Sequence, residues 1–379
     1  MLFEHVQVGN KYIRYVKINN KSKYATDSDL FIFRCLKRGE IIMRLKKIKI
    51  MNCEKYTLCV WKDNLWIAFK AVLESIPNDG TRERAMLEKA SDDLIAFLKD
   101  RDILQPKLEE LIMLAEVNKA KLILEGEEVM PFRPLLYRDF MLSERHLINS
   151  SCGYAKRLMP KVMPLVKIYE GITSKPFPAF FPKKPWYDNP VYYKGNVLSF
   201  VGDGETITYP KYATLKDYEL ELGMIITKDI INATEKEGLD AIGAFCIFND
   251  FSARNVQFDE MRKTGFGPCK CKDFASAISS VVVTADEILP VMDTLKTRVY
   301  INDEKVAEGQ LNEFYHSLGK AVAYASKGEH VYAGEFMATG TIPNCCGMEN
   351  GVLLECGDVI RLEIDKVGEL TNSISRNMI

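Results

Sequence analysis

The sequence predicts an α+β protein rich in strands, with a small N-terminal α+β domain over residues 1–124 and a larger β-rich domain over 125–379. Three observations carry this. Residues 1–60 alternate apolar and polar positions in short pieces, residues 82–117 repeat apolar residues at helical spacing, and from Pro131 onward short apolar segments are punctuated by Pro and Gly. In the first stretch, KYIRYVKI and EIIMRLKKIKI have the two-residue period of strands, and Asn19-Asn20 and Gly39 are turn signals, so hairpins are expected. In RERAMLEKASDDLIAFLKD, the residues Ala85, Met86, Ala90, Leu94, Phe97 and Leu98 recur at three- and four-residue steps, which predicts a helix started by Asp79-Gly80-Thr81. Pro106 is expected to open a second helical run, KLEELIMLAEV. Strands are then expected in PVYYKGNVLSFVGDGETITY, ELELGMIIT, TRVYINDEKVAEG and GDVIRLEIDKVGEL. The change of texture places the boundary near residue 125.

Composition limits what such a chain does. With 379 residues, 47% of them hydrophobic, it has ample material for a large core, which excludes wholesale disorder. Its net charge of −1 excludes a nucleic-acid binder that works through bulk positive charge. The basic residues of the first fifty positions are interleaved with apolar ones and read as solvated strand faces. No apolar run approaches the roughly 18 residues of a membrane span, and MLFEHVQVGNKYIRYV lacks the core of a signal peptide. A soluble, cytoplasmic protein is expected. The ten cysteines include no CxxC pair, and Cys269-Lys270-Cys271 and Cys345-Cys346 are too cramped for a structural zinc site.

Four segments carry chemistry. In Asp217-Tyr218-Glu219-Leu220-Glu221, a strand would put Glu219 and Glu221 on one face. Two carboxylates so placed need either solvent, on an amphipathic surface strand, or a hard divalent cation such as Mg²⁺, Mn²⁺ or Ca²⁺. The block Asn249-Asp250-Phe251-Ser252-Ala253-Arg254-Asn255-Val256-Gln257 follows the apolar AIGAFCIF; a strand end delivering Asp250 and a helical turn presenting Arg254 and Gln257 would gather an anion, a cation and an amide, and the plain alternative is an N-capped helix. Histidines number four, His5, His146, His316 and His330, and only His146 lies near another suspicious carboxylate, Asp139. Lys272 follows the Gly-rich GFGP, where a lysine steadies an enolate or carboxylate if it is not simply solvated.

The order and spacing of these pieces say more than any one of them. Asp139 with His146 seven residues on, Glu219-x-Glu221, the ND-x-SAR-x-x-Q block of 249–257, Gly267-Pro268 with Lys272-Asp273-Phe274, Gly340-Thr341 and the ending LECGDVIRLEIDKVGELTNSI resemble the fumarylacetoacetate hydrolase family from about Leu122 onward. The resemblance implies a mixed β-roll as catalytic domain, pairing into homodimers. It implies Asp139, Glu219, Glu221 and Asp250 as ligands of a metal, Mg²⁺ with Mn²⁺ or Ca²⁺ as alternatives. It implies His146 as the base that activates water, Arg254, Gln257 and Lys272 around the substrate oxygens, and Thr341 near the substrate carboxylate. Short members place a Glu three residues after the His, where this chain has Asn149; the local match to longer members makes Glu349 the residue that orients His146, with Glu144 as its rival. Met141 stands in a region where relatives often carry aromatic residues, which bears on substrate identity.

The activity implied is hydrolysis of a carbon–carbon bond in a β-diketo acid, an acylpyruvate or fumarylacetoacetate-like compound. Decarboxylation, isomerisation or hydration of a keto acid at the same site is the alternative, and a non-catalytic binding protein that keeps the metal pocket is a third.

Overall fold

The computed structural model describes residues 43–379 and the strands Leu2–Val8 and Lys11–Lys17. Those two strands pair antiparallel, Leu2 opposite Lys17, within a unit spanning Met1–Ile41. The turns expected at Asn19-Asn20 and Gly39 lie outside the described residues, as does the side chain of His5.

The second unit, Ile42–Ile379, is built on a twelve-stranded mixed sheet. Its central path runs from Leu65–Ala68 through Tyr56–Lys62, Arg44–Ile50, Val282–Thr284, Ile242–Asn249, Leu220–Ile226, Phe336–Ala338 and Tyr137–Phe140 to Tyr192–Lys194. The sheet crosses position 125 without a break: Arg44–Ile50 pairs on one side with Gly126–Val129 and bridges to Val282–Thr284 through Leu45 and Val282. A separate five-stranded sheet contains Lys296–Ile301, Glu304–Gln310, Val359–Ile364 and Gly368–Ile374, and its alternating burial matches the period-two pattern of TRVYI and VIRLEI. Among the described residues no helix is long and apolar enough to cross a membrane.

Two helical expectations change. The run expected as one helix is two, Arg82–Lys89 and Leu94–Lys99. Asp93 breaks it by accepting the N–H of Ala96, because a short polar side chain competes with the helix ladder and then caps the next one. Thr81 caps the first as its sequence suggests. Pro106 does not open a helix; it lies inside Arg101–Val117, whose first turn closes on the carbonyl of Asp100. The buried stripe Leu104, Leu108, Leu111, Ile112 and Ala115 is continuous through the proline, and its packing outweighs the one backbone bond that proline removes.

The middle of the large sheet is covered on both faces. Leu220–Ile226 is buried at every position, and Leu220, Leu222, Met224 and Ile226 pack into the main core. On the other side Phe248 stacks with Phe200 and meets Phe336 and Tyr137. A strand buried on both faces has no room for a solvated glutamate, so the solvent-facing alternative for Glu219 and Glu221 falls: they are 5% and 1% exposed.

Candidate active site

Three strands of the sheet deliver three carboxylates, with Phe336–Ala338 lying between the first and the second. Tyr137–Phe140 runs parallel to Phe336–Ala338 with Asp139 opposite Ala338, and Gly223 of the next strand is opposite the same Ala338. On the far side of Leu220–Ile226, Leu220 pairs with Asn249, and the chain leaves Ile242–Asn249 at Asp250. The result is a cluster of Asp139, Glu221 and Asp250 with one oxygen of each within 4.8 Å of the others. Burial and mutual repulsion raise Asp139 and Glu221 well above the usual carboxylate range, and burial raises Asp250 as well. One oxygen of Asp139 and one of Asp250 are buried without a hydrogen-bond partner. An all-oxygen, anionic, under-satisfied set of this kind fits a hard divalent cation.

Glu219, the fourth carboxylate expected in the set, is not in that cluster. Its Oε1 is 2.7 Å from Nη2 of Arg254, and its Oε2 is bonded by Nζ of Lys272. Burial alone would raise Glu219, but Arg254 and Lys272 outweigh it and hold the group below the usual carboxylate range. Lys272 also lies 2.5 Å from Oδ2 of Asp250, so its ammonium joins Glu219 to the cluster; burial opposes its charge, and the two carboxylates more than restore it.

Arg254 is held by three protein groups, Asp217, Gln257 and, as an ion pair through Nη2, Glu219. Its Nε donates to Asp217 (2.6 Å) and its Nη1 to Oε1 of Gln257 (2.7 Å). Tyr154 donates to the same amide oxygen at 2.7 Å. With its oxygen held twice, Gln257 is oriented to present its NH₂, a pure donor, toward the cavity that it lines. Tyr193 donates to Oδ2 of Asp250 at 2.6 Å, and Tyr137 stands 3.2 Å from Tyr193, so a short tyrosine chain steadies the cluster.

His146 sits in the first turn of helix Glu144–Leu158, whose cap Ser143 accepts the N–H of His146 itself. Its Nδ1 is 3.1 Å from Oε2 of Glu349, within ion-pair reach though not aligned as a hydrogen bond, and both side chains are buried. The rival Glu144 accepts instead from the hydroxyl of Tyr187, and Asn149 donates to Asn344. Glu349 belongs to the short turn Gly347–Asn350, which is fastened by Asp217: its two oxygens accept the N–H groups of Gly347 (2.6 Å) and Met348 (3.0 Å). The turn and the histidine helix touch at a glycine. A Cβ on Gly153 would lie 2.0 Å from the carbonyl oxygen of Met348, so Gly153→Ala is expected to force the two elements apart. Turnover should then fall at least tenfold with the affinity for Mn²⁺ unchanged; an alanine variant of normal activity would show that the contact does not set the pair. Gly340, with φ +78°, allows a similar close approach. A side chain there would meet the carbonyl of Phe140 at 2.3 Å, and its N–H donates to Oε2 of Glu221 at 3.0 Å.

All ten residues singled out in the sequence thus gather around one region. Eight of them, Thr341 included, line a single cavity of about 520 Å³. Asp250 joins them through the carboxylate cluster, and Glu349 stands behind His146. Three residues escaped the sequence reading: Asp217, Tyr154 and Tyr193. Asp217 sits beside the Glu219-x-Glu221 pair, yet only the turn at 347–348, 130 positions away, shows why it matters.

This arrangement was compared with known proteins. A family model described as "Fumarylacetoacetate (FAA) hydrolase C-terminal" matches residues 177–375, more than half of the chain. The chain belongs to the fumarylacetoacetate hydrolase family. The match begins after Asp139 and His146, so the family model covers the Glu219, Asp250 and Lys272 side of the site, and the parallel pairing of Tyr137–Phe140 brings in the rest. Among curated relatives in the family, a 2,4-didehydro-3-deoxy-L-rhamnonate hydrolase from Sphingomonas sp. (strain SKA58) is 27% identical over 191 residues, 49% of this chain and 65% of that protein. A mitochondrial oxaloacetate tautomerase from Xenopus laevis is 28% identical over 188 residues, 49% of this chain and 58% of that protein. The chain therefore matches less than two thirds of the length of either. A solved maleylpyruvate hydrolase from Sphingobium sp. SYK-6, in complex with manganese(II) ion and pyruvate, superposes with a TM-score of 0.58 at 16% identity, covering 88% of this chain and 99% of that one. At that identity the likeness shows the fold alone. The family so sampled contains hydrolases and a tautomerase.

Proposed function

We propose that the protein is a metal-dependent hydrolase that cleaves the carbon–carbon bond between the two carbonyls of a β-diketo acid such as an acylpyruvate. The observation that carries this is the facing of a His–carboxylate pair, His146 with Glu349, and a three-carboxylate cluster at one cavity. Asp139, Glu221 and Asp250 would hold the cation, Mg²⁺ or Mn²⁺, which when bound polarises the oxygens of the diketo head. The protein's own groups do the rest. With Nδ1 of His146 turned to Glu349, Nε2 is left to take a proton from water, and Glu349 offsets the charge the ring acquires. The hydroxide adds to the acyl carbonyl carbon; the bond to the methylene breaks, and its electron pair leaves as the enolate of pyruvate. Lys272, whose ammonium is shared by Glu219 and Asp250, and the NH₂ of Gln257 would offset that developing negative charge, while Arg254, paired with Asp217, Glu219 and Gln257, positions Gln257 and Glu219. The proton held by His146 returns to the enolate carbon, so diketo acid and water give one carboxylic acid and one 2-oxo acid.

Incubation of the full chain with Mg²⁺ or Mn²⁺ and acetopyruvate should remove the diketone absorbance and release acetate and pyruvate in equal amounts. Excess chelator should abolish the reaction and re-added metal restore it. Full activity in chelator, with no metal by elemental analysis, would refute the cation's part. A second reading is favoured by the tautomerase relative: the same base and cluster, without water addition, interconvert the keto and enol forms of oxaloacetate. Loss of enol absorbance from oxaloacetate with no acetate from acetopyruvate would favour it, and carbon dioxide release alone would mark a decarboxylase. The pairing of His146 with Glu349 has its own test. In a double-mutant cycle, Glu349→Gln should cost much less in a His146→Ala background than in the native one, because groups acting as a unit are not additive. Equal losses in both backgrounds would separate the two residues.

A further inference from the structure

The cavity continues well past the groups that would hold a diketo acid head. Beyond His146 the helix Glu144–Leu158 ends at Met159, where Pro160 stops it, and the chain folds back through Pro160–Val162 into the helix Met163–Thr173. This reversal and the turn before Phe180 line the cavity with Met159, Val162, Val166, Phe177 and Phe180, and Met261 closes the opposite side. Phe177 and Phe180 meet edge to face with ring centres 5.6 Å apart, and Val166 and Phe180 are buried in a small core of their own. Of the polar side chains between the two ends, Ser150 donates to the carbonyl of Leu147 and Tyr154 donates to Gln257, which leaves the small hydroxyl of Ser151 and no charged group. The cations near the apolar end are Lys183 and Arg262, and both side chains are exposed at its rim.

The two ends of the cavity therefore ask for two chemistries. A second carboxylate drawn in among Val166, Phe177 and Phe180 would leave Lys183 and Arg262 behind at the rim and be costly to bury, whereas each hydrocarbon group buried there is favourable. The volume of about 520 Å³ also lies inside the ~300–1,000 Å³ of sites that enclose drug-sized ligands, more than a five-carbon diketo acid occupies. We infer that the substrate carries an apolar tail, an extended alkyl or aryl acyl group, on its 2,4-dioxo acid head. This rests on the reading of the head site given above and narrows its substrate class to lipophilic acylpyruvates, as opposed to sugar acids or dicarboxylates.

Binding tests the inference apart from catalysis. Straight-chain 2-oxo acids from pyruvate to 2-oxodecanoate are titrated calorimetrically into the Mg²⁺-loaded full chain, beside 2-oxo dicarboxylates of equal length. Affinity should rise about fourfold per methylene until the chamber is filled, and each alkyl acid should bind more tightly than its dicarboxylate counterpart. A flat series, or one in which the dicarboxylates win, overturns the inference. Val162→Lys and Met261→Lys, both at partly exposed positions that tolerate a long polar side chain, should flatten the rise and favour the dicarboxylates. If both variants fold with native melting temperatures and keep the full rise, the tail does not lie there and the inference fails. Acylpyruvates of increasing chain length then separate the two readings. Rising affinity for oxo acids with no acylpyruvate cleaved keeps the chamber and removes the hydrolase; cleavage of acetopyruvate with no chain-length gain in either series keeps the hydrolase and removes the chamber.

Discussion

Turnover of a diketo acid should fall by about 10²–10⁴-fold in His146→Ala, the usual contribution of a positioned general base. The affinity for Mn²⁺ should not change, since His146 is outside the cluster of Asp139, Glu221 and Asp250. Binding of pyruvate should also persist, because the donors expected to meet it are Lys272, Gln257 and Thr341. The loss should therefore appear in kcat and leave KM near its native value. Single-turnover kinetics with Mn²⁺ binding measured in parallel decides this. If the variant hydrolyses at a near-native rate, water is activated elsewhere and the reading through His146 is wrong. If hydrolysis is lost while oxaloacetate tautomerisation survives, the two reactions share the cluster and differ in the base.

The second large effect is expected at a residue that touches no substrate. Asp217 is fully buried, and its carboxylate accepts four hydrogen bonds, from Arg254, Gly347, Met348 and its neighbour Tyr218. Removing one partner of a buried ion pair typically costs ~3–5 kcal/mol, because the other charge is left without compensation. Asp217→Ala should destabilise the protein by about that amount, read from the urea midpoint at unchanged m-value. It should also release the turn that carries Glu349 and free Arg254 from one of its anchors. Activity of the remaining folded protein should then drop as well. Asp217→Asn, which keeps the shape and accepts fewer of these bonds, should fall between. An alanine variant within about 1 kcal/mol of native stability would show that water replaces the carboxylate and that the turn stands without it.

How far the site is legible in the sequence depends on how local its geometry is. The ND-x-SAR-x-x-Q block can be read because a strand end and one helical turn bring Asp250, Arg254 and Gln257 close together, although the pairing of Ser252–Ala253 with Lys216–Asp217 holds them in place. Capping is local in the same way: Thr81 and Ser143 stop the chain and start helices where their side chains reach a nearby N–H. The helix break at Asp93 and the proline inside Arg101–Val117 are less legible, since each is a contest between a local preference and the packing of a buried stripe.

By itself, then, the sequence determined the α+β class, the chemistry of the candidate residues and the family they resemble, because residue type, strand alternation and short spacings are properties of a few neighbouring positions. Only the tertiary structure decided which of these groups meet. Glu219 and Glu221 are two residues apart, yet Arg254 and Lys272 claim the first, and the second joins Asp139 and Asp250. Glu349 and not Glu144 faces His146, because Gly153 lets a helix lie against a turn some two hundred residues further along the chain. The first strands after residue 43 extend the same sheet that carries the carboxylates, although the sequence changes texture between them. The physical reason is common to all three: charges and backbones choose partners by distance in space, and in a sheet whose neighbouring strands come from distant segments that distance is set by pairing between them.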